Sequence, residues 1–228
     1  MDLKISDIEE LLQKSRNEII KMINKGELPS YKINNQYLFN KAEINEWILK
    51  NKSLVSEKVY SLYLSKQPLE INELVKKGGI YYGIKGDDSK SVLSSAVDTI
   101  KIPANLSKKQ VLSSLIERED MMPTSIGRGI AIPHPRNPII SEIEEESISI
   151  CFPEKDIDYN AADGVKVHTI FILLAANSRR HLESLARLMY LCQQKEFIAV
   201  LKERKSAEEI TEAIKKLEQK AVRERKNA

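Results

Sequence analysis

The stretch Gly127-Arg128-Gly129-Ile130-Ala131-Ile132-Pro133-His134-Pro135-Arg136 decides how the rest of this 228-residue chain is interpreted. Its two glycines allow close approach of the backbone, and the short apolar run after them is typical of a buried strand. The run ends at His134, and the prolines on either side of this residue fix the local backbone. The pattern therefore predicts a buried strand that delivers an imidazole at its end.

The segments on both sides of this stretch alternate between helix and strand patterns. Before it, the periodicity predicts helices over residues 71–76, 90–97 and 107–119, and a strand over 79–84. After it, the periodicity predicts strands over 147–152 and 165–174, and helices over 178–193, 195–202 and 207–219. Because buried strands interleave with helices, we expect an α/β layered domain with a mixed sheet flanked by helices.

The first fifty residues follow a different pattern, that of a small helical domain. Ser6-Asp7-Ile8-Glu9 and Ser15-Arg16-Asn17-Glu18 are both Ser-x-x-Glu capping boxes, which predict two helices a turn apart, the second ending at Gly26. Two short alternating runs around Asn34-Asn35 then predict a β-hairpin. A third helix, capped by Asn40, follows the hairpin. The order indicates a winged helix-turn-helix domain.

The element Lys25-Gly26-Glu27-Leu28-Pro29-Ser30-Tyr31, followed by a hairpin and Trp47, resembles the excisionase-type, MerR-related winged helix-turn-helix family over about residues 2 to 52. The resemblance implies that the second helix enters the major groove of double-stranded DNA and that the hairpin contacts the DNA backbone. The DNA-binding residues that it implies are Arg16, Asn17 and Lys21 on the helix and Lys32, Asn34, Asn35 and Gln36 in the hairpin.

The charge balance leaves open a role other than DNA binding for this domain. Residues 1–52 carry nine basic and eight acidic side chains, a difference of +1, and the net charge of the whole chain is only +3. Strong DNA binders usually have a clear basic excess. The different role is that of a dimerisation or docking module. A homodimer is also compatible with the resemblance, because one such module buries little surface on DNA, although no heptad pattern supports it.

A second resemblance covers about residues 70 to 220. The segments Glu117-Arg118-Glu119, Pro123-Thr124-Ser125-Ile126-Gly127, Gly129 to His134, and His181-Leu182-Glu183 together resemble the type-2 enzyme IIA domain of the bacterial phosphotransferase system, the fructose, mannitol and nitrogen-regulatory class. This resemblance implies that a histidine-phosphorylated carrier protein transfers a phosphoryl group to His134. Family members usually have glycine after this histidine, whereas this chain has Pro135, so the loop conformation and the identity of the carrier are open.

The resemblance and the chemistry of phosphoryl transfer together indicate which residues assist His134. His181 is expected in the first turn of a helix, where its ring and the helix N-terminus would meet the phosphoryl group. Arg118 supplies a guanidinium suited to bidentate contact with phosphate oxygens. Further expected phosphate contacts are Thr124, Ser125, the backbone at Gly127 and Gly129, and Arg136. His168 matches no motif residue and is expected to be structural or exposed.

Other features limit the classes of function. Cys151 and Cys192 are isolated, without metal-ligand spacing, so we expect neither a disulfide framework, nor a metal site, nor a cofactor. No apolar run approaches the roughly 18 to 20 residues that span a bilayer, and the N-terminus lacks a signal-peptide pattern, so a cytoplasmic protein without membrane contact is expected. The acidic cluster Glu142 to Glu146 is expected to be solvated surface.

The sequence thus predicts a helix-turn-helix domain over residues 1–52, a helical linker over 53–69 and an enzyme IIA-like phosphoacceptor domain over 70–222. The leading hypothesis is a regulatory protein in which phosphorylation of His134 controls DNA or protein binding through the N-terminal domain. Two further hypotheses stay open on the sequence: a plain enzyme IIA component that feeds a sugar permease, and a non-catalytic docking protein.

Overall fold

The computed structural model describes residues 3–12, 14–33, 36–40, 43–44, 47–48 and 69–226. The chain divides into two units, Met1–Gln67 and Pro68–Ala228. The linker helix predicted over residues 53–69 lies, except for its last residue, outside the described residues, as do Asn34 and Asn35 of the predicted hairpin. Each unit is described by itself below.

The N-terminal unit contains the predicted two helices and hairpin. Its elements are β1 (Leu3–Lys4), α1 (Ile5–Leu12), α2 (Arg16–Asn24), β2 (Tyr31–Ile33) and β3 (Gln36–Phe39). The strands form an antiparallel sheet in the order β1-β3-β2, and residues 43, 44, 47 and 48 are helical. The two helices and the hairpin confirm the sequence prediction. The short strand β1 was not predicted, because two residues carry no periodicity.

One of the two predicted capping boxes is present. The Ser15 hydroxyl accepts a hydrogen bond from the Glu18 N–H at 3.4 Å, and the Glu18 carboxylate accepts one from the Ser15 N–H at 2.9 Å. The box predicted at Ser6 is wrong, because α1 already begins at Ile5. Asp7 instead accepts a hydrogen bond from the Lys4 N–H at 2.7 Å, at the point where β1 ends.

The C-terminal unit is a mixed α/β domain. Its elements are α3 (Ile71–Gly78), β4 (Ile80–Ile84), α4 (Ser89–Thr99), α5 (Lys108–Met121), β5 (Ser125–Gly127), β6 (Ile130–Ala131), β7 (Ser147–Pro153), β8 (Thr169–Leu174), α6 (Ser178–Gln193), α7 (Lys195–Lys202) and α8 (Ala207–Lys226). The sheet order is β4-β7-β8-β6-β5. The pairs β4–β7 and β6–β8 are parallel and the other two antiparallel, which confirms the predicted mixed sheet.

The buried strand predicted for the apolar run after Gly129 is present but only two residues long. Gly127 ends β5, and a two-residue turn leads into β6, which pairs with β8 through Ile130 and Ala131. Beyond β6 the chain still follows β8, because the Pro133 carbonyl accepts a hydrogen bond from the Leu173 N–H at 3.0 Å. Proline has no N–H to continue the ladder, so the regular strand ends before it.

The sheet topology brings two chain segments to one edge. Because β6 and β8 are parallel, their carboxyl ends meet at the same edge of the sheet. The segment after β6 carries His134, and the segment after β8 leads directly into α6, whose first turn carries His181. Sheet edges of this kind are where α/β proteins commonly place ligands.

Candidate functional site

His134 is held in one orientation by its own backbone. The side chain is 2% exposed, and its Nδ1 lies 2.7 Å from the carbonyl oxygen of Ile132. A carbonyl oxygen can only accept, so Nδ1 must carry the hydrogen of this bond. In the neutral ring, Nε2 then holds the lone pair. The loop therefore presents Nε2 as the nucleophilic nitrogen.

His181 packs against His134 from the neighbouring helix. The centroids of the two rings lie 4.7 Å apart, with an interplanar angle of 57°. His181 is 7% exposed and lies in the first turn of α6, which Asn177 caps by accepting a hydrogen bond from the Arg180 N–H at 3.0 Å. The positive end of the helix dipole is at this turn. The structure thus brings the two predicted histidines together.

Glu146 supports this turn and was not identified from the sequence. Its side chain is 1% exposed, so the expectation of a solvated acidic cluster is wrong for this residue. The carboxylate accepts hydrogen bonds from the Ala176 N–H at 3.0 Å and from Nε and Nη2 of Arg180 at 2.8 and 2.6 Å. Its position immediately before the predicted strand over residues 147–152 indicated the end of the sheet but not the burial of the side chain.

Arg118 and Thr124 are buried near the end of α5, where each has a local partner. Arg118 Nη1 donates to the Met122 carbonyl at 2.8 Å. The Thr124 hydroxyl and N–H donate to the two oxygens of the Glu119 carboxylate, at 2.5 and 3.1 Å. In this arrangement the hydroxyl proton of Thr124 is directed at Glu119.

The remaining residues that were predicted to contact phosphate lie in the β5–β6 hairpin and in the loop after His134. Ser125 is partly exposed, and its hydroxyl accepts a hydrogen bond from the Gly127 N–H at 3.3 Å. Arg136 is half-buried, directly after the buried Pro135. The loop thus keeps a cationic side chain two residues beyond the histidine.

Gly127 and Gly129 have a local role in the β5–β6 turn. The φ angles at Gly127, Arg128 and Gly129 are +83°, +57° and +76°, and positive φ at both central residues is typical of a tight hairpin turn. A Cβ atom at Gly129 would lie 2.4 Å from Cδ2 of His168. Both glycines are therefore needed for the turn, and Gly129 is also needed for its packing on His168, a requirement separate from phosphate binding.

His168 is a structural residue, which is one of the two roles expected from the sequence. It is 4% exposed, and its Nδ1 lies 2.7 Å from the Thr169 hydroxyl oxygen. Burial lowers the pKa of His168 below its ordinary value of 6.5, and the carboxylate of Asp156 only partly opposes this effect. The folded protein therefore favours the neutral ring.

We expect this burial to make folding sensitive to acid. The unfolded chain takes up a proton near pH 6.5, whereas folded His168 stays neutral to lower pH, so the free energy of unfolding should fall as the pH drops below about 6.5. One proton limits the slope to about 1.4 kcal/mol per pH unit. Chemical denaturation between pH 7.5 and 5 should show a shallower pH dependence for His168→Asn. Identical slopes would refute this assignment.

The other expectations on ligands concern metals, thiols and membranes. Among the described residues, no group of three or more His, Cys, Asp or Glu side chains is arranged to hold a metal ion. Both cysteines are buried free thiols, and burial raises the pKa of each to about 12, which makes them poor nucleophiles. Within the described ranges, no helix is long and apolar enough to cross a membrane.

The predicted DNA-binding residues on α2 are exposed. Arg16, Asn17 and Lys21 all point to solvent, while Ile19 on the same helix is fully buried in the core of the N-terminal unit. Lys32 on β2 is also exposed, with its Nζ 5.4 Å from the centroid of the Tyr37 ring. One face of α2 is therefore available for a partner.

The mixed sheet and the paired imidazoles at its edge define a histidine-centred domain of the enzyme IIA type. The chain matches the family "Phosphoenolpyruvate-dependent sugar phosphotransferase system, EIIA 2" over residues 73–217, and it belongs to this family. Residues 3–52 match a helix-turn-helix domain. Both resemblances inferred from the sequence are confirmed.

Similar proteins include nitrogen regulatory proteins and a fructose-specific phosphotransferase system component. The nitrogen regulatory protein of Bradyrhizobium diazoefficiens is 26% identical over 144 residues, which cover 62% of this chain and 92% of that protein. The fructose-specific EIIABC component of Bacillus subtilis is 28% identical over 149 residues, which cover 64% of this chain but only 23% of that longer protein. The crystal structure of nitrogen regulatory protein IIA-Ntr from Neisseria meningitidis matches with a TM-score of 0.54 and 27% identity, covering 63% of this chain and 98% of that one.

Proposed function

We propose that the protein is a regulatory phosphoacceptor. A histidine-phosphorylated carrier protein transfers its phosphoryl group to Nε2 of His134, and the phosphorylation state controls DNA or protein binding through the N-terminal helix-turn-helix domain. The observation that carries this proposal is the fixed tautomer of His134, whose Nδ1 donates to the Ile132 carbonyl. The centroid of the His134 ring lies 4.7 Å from that of the His181 ring.

On the acceptor side, the transfer uses groups that the site supplies. The lone pair of Nε2 forms the new nitrogen–phosphorus bond, and the bond that breaks joins phosphorus to a ring nitrogen of the carrier's histidine, which keeps the electron pair. His181 and the N-terminus of α6 stabilise the negative charge on the transferring oxygens. The bond from Nδ1 to Ile132 keeps the ring from turning away from the donor.

The phosphoryl group changes the charge of a buried site. It adds about 1.5 to 2 negative charges near pH 7. His134 is almost fully buried, so this charge has to be accommodated by the surrounding side chains and helix end. A change of this size is able to bias a domain or partner interface between two states.

The coupling is tested by DNA capture in both phosphorylation states. The protein would be incubated with a phosphorylated or an unphosphorylated carrier, and retention on genomic DNA fragments would be measured for wild type and for His134→Asn. We expect retention of the wild type alone to change with the state of the carrier. Equal retention in both states would contradict the coupling.

The N-terminal unit should bind DNA through the exposed face of α2. Replacing Lys21 with alanine should weaken binding about equally across sequences and lower the salt slope of the affinity by about one, because one phosphate contact is lost. Arg16→Ala should also weaken binding, and its effect should depend on salt in the same way as that of Lys21→Ala. Fluorescence titration of operator fragments at several salt concentrations would measure both.

Lys4 provides a matched control for this prediction, since it is also an exposed lysine of the N-terminal unit but lies on β1, outside α2 and the hairpin. Lys4→Ala should leave the salt slope unchanged. If genome-wide footprinting at low salt finds no protected site for the wild type, the domain is a docking or dimerisation module instead.

A second candidate function is a plain enzyme IIA component that passes the phosphoryl group to a sugar transporter. The 28% identity to a fructose-specific component favours it over a non-catalytic docking role. It predicts onward transfer from phosphorylated His134 to a transporter IIB domain, together with loss of sugar uptake on deletion. Stable phosphorylation without onward transfer would support the regulatory role.

A further inference from the structure

The carboxylate of Glu146 is bound to the chain segment that carries His181. The residue after it, Ser147, pairs with Leu174 at the end of β8, so Glu146 lies beside the loop that leads into α6. Its three hydrogen bonds go to the Ala176 N–H in that loop and to the Arg180 guanidinium in the first turn of the helix. Glu146 therefore connects the sheet to both parts of this segment.

Arg180 directly precedes His181, so fixing its side chain restrains the same turn. Two side chains hold the turn through Arg180: the Asn177 side chain accepts from the Arg180 N–H, and Glu146 accepts from the Arg180 guanidinium. The first attachment orders the helix start within itself. The second links this start to the sheet edge that bears His134.

We propose that Glu146 is a positioning residue that sets the His181 ring against His134, acting through Arg180 and the Ala176 N–H. This inference rests on the proposed function for the use of the two rings. A buried ion pair is by itself weak support for stability, because a well-packed apolar replacement is often equally stable. Here Nε and Nη2 of Arg180 both donate to Oε2 of Glu146, while the Ala176 N–H donates to Oε1, so each carboxylate oxygen holds a different part of the segment in a fixed orientation.

Glu183 provides an internal comparison. Its side chain is also 1% exposed and also pairs with an arginine, Arg187, at 3.1 Å. Both partners of that pair lie on α6, four residues apart, so the pair does not tie the helix to the sheet edge. Glu183→Gln thus removes the same charge from the same degree of burial without releasing the first turn.

The test compares imidazole spectra and phosphoryl transfer in the full chain. The chain has three histidines, so long-range proton–nitrogen spectra resolve three rings. Glu146→Gln should shift the ring signals of His134 and His181 but not those of His168, which lies at the other end of β8. The same variant should accept phosphate about 10- to 100-fold more slowly, through kcat and not KM. Glu183→Gln should change neither.

Arg180→Lys is the second variant, for use if Glu146→Gln does not fold. It keeps the positive charge but offers one nitrogen in place of the two that donate to Oε2 of Glu146, and it should shift the same two rings. Unchanged rings in the folded variants, or equal shifts in Glu183→Gln, would overturn the positioning role. If the wild type itself accepts no phosphate, the proposed function fails, while the ring spectra still decide whether Glu146 sets His181.

Discussion

Phosphoryl acceptance is expected to fall to background when His134 is replaced with asparagine. The asparagine amide nitrogen lies where Nδ1 of the histidine does, so it still donates to the Ile132 carbonyl and keeps the loop in place. The substitution removes Nε2, and with it the lone pair that the loop presents for attack. Intact-mass measurement after incubation with a phosphorylated carrier should show one added phosphate in the wild type and none in the variant.

His168→Asn is the matched control for this experiment. His168 is also a buried histidine, but it packs on the β5–β6 turn and should not accept phosphate. The control should therefore be labelled like the wild type once folding has been verified by circular dichroism. Equal labelling of His134→Asn and wild type would refute the assignment of the phosphorylated residue.

Replacing His181 with alanine should slow phosphoryl transfer about 100- to 1,000-fold without preventing it. Loss of one preorganised group that stabilises transition-state charge typically has an effect of this size. His134 keeps its own hydrogen bond to Ile132 in this variant, so the nucleophile remains in place. Rapid-quench kinetics should show a lower kcat with a nearly unchanged KM for the carrier.

The separate effects on kcat and KM distinguish the proposed role of His181 from two other roles. If His181 only bound the carrier protein, KM would rise and kcat would remain. If it only stabilised the fold, the loss of activity in His181→Ala would match the loss of folded protein measured by circular dichroism. A rate equal to that of the wild type would show that the contact between the rings has no part in the transfer.

Most of the architecture could be predicted from the sequence, because helix periodicity and capping residues are local signals. The prediction of α6 over residues 178–193 and of α7 over 195–202 matches the structure. The capping box at Ser15 was also correct. The failed box at Ser6 shows the limit: α1 begins at Ile5, directly after β1, whose partner strand β3 is distant in sequence.

The sequence predicted the residues of the candidate site that lie in motifs, but not how these residues contact one another. His134 and His181 were identified through motifs that resemble the enzyme IIA family, but their ring contact depends on the parallel pairing of β6 and β8. Glu146 could not be separated from its acidic neighbours, because its burial is set by the register between β7 and β8. Hydrogen bonds that link distant elements leave no periodic signal in the sequence.

The central claim is that Nε2 of His134 accepts the phosphoryl group. It is tested most directly by long-range proton–nitrogen and phosphorus spectra of the phosphorylated wild-type chain, in which the nitrogen bonded to phosphorus is identified by its coupling. We predict phosphorus on Nε2 of His134, with Nδ1 still carrying its hydrogen toward Ile132. Phosphorus on Nδ1, or on the ring of His181 or His168, would contradict this account.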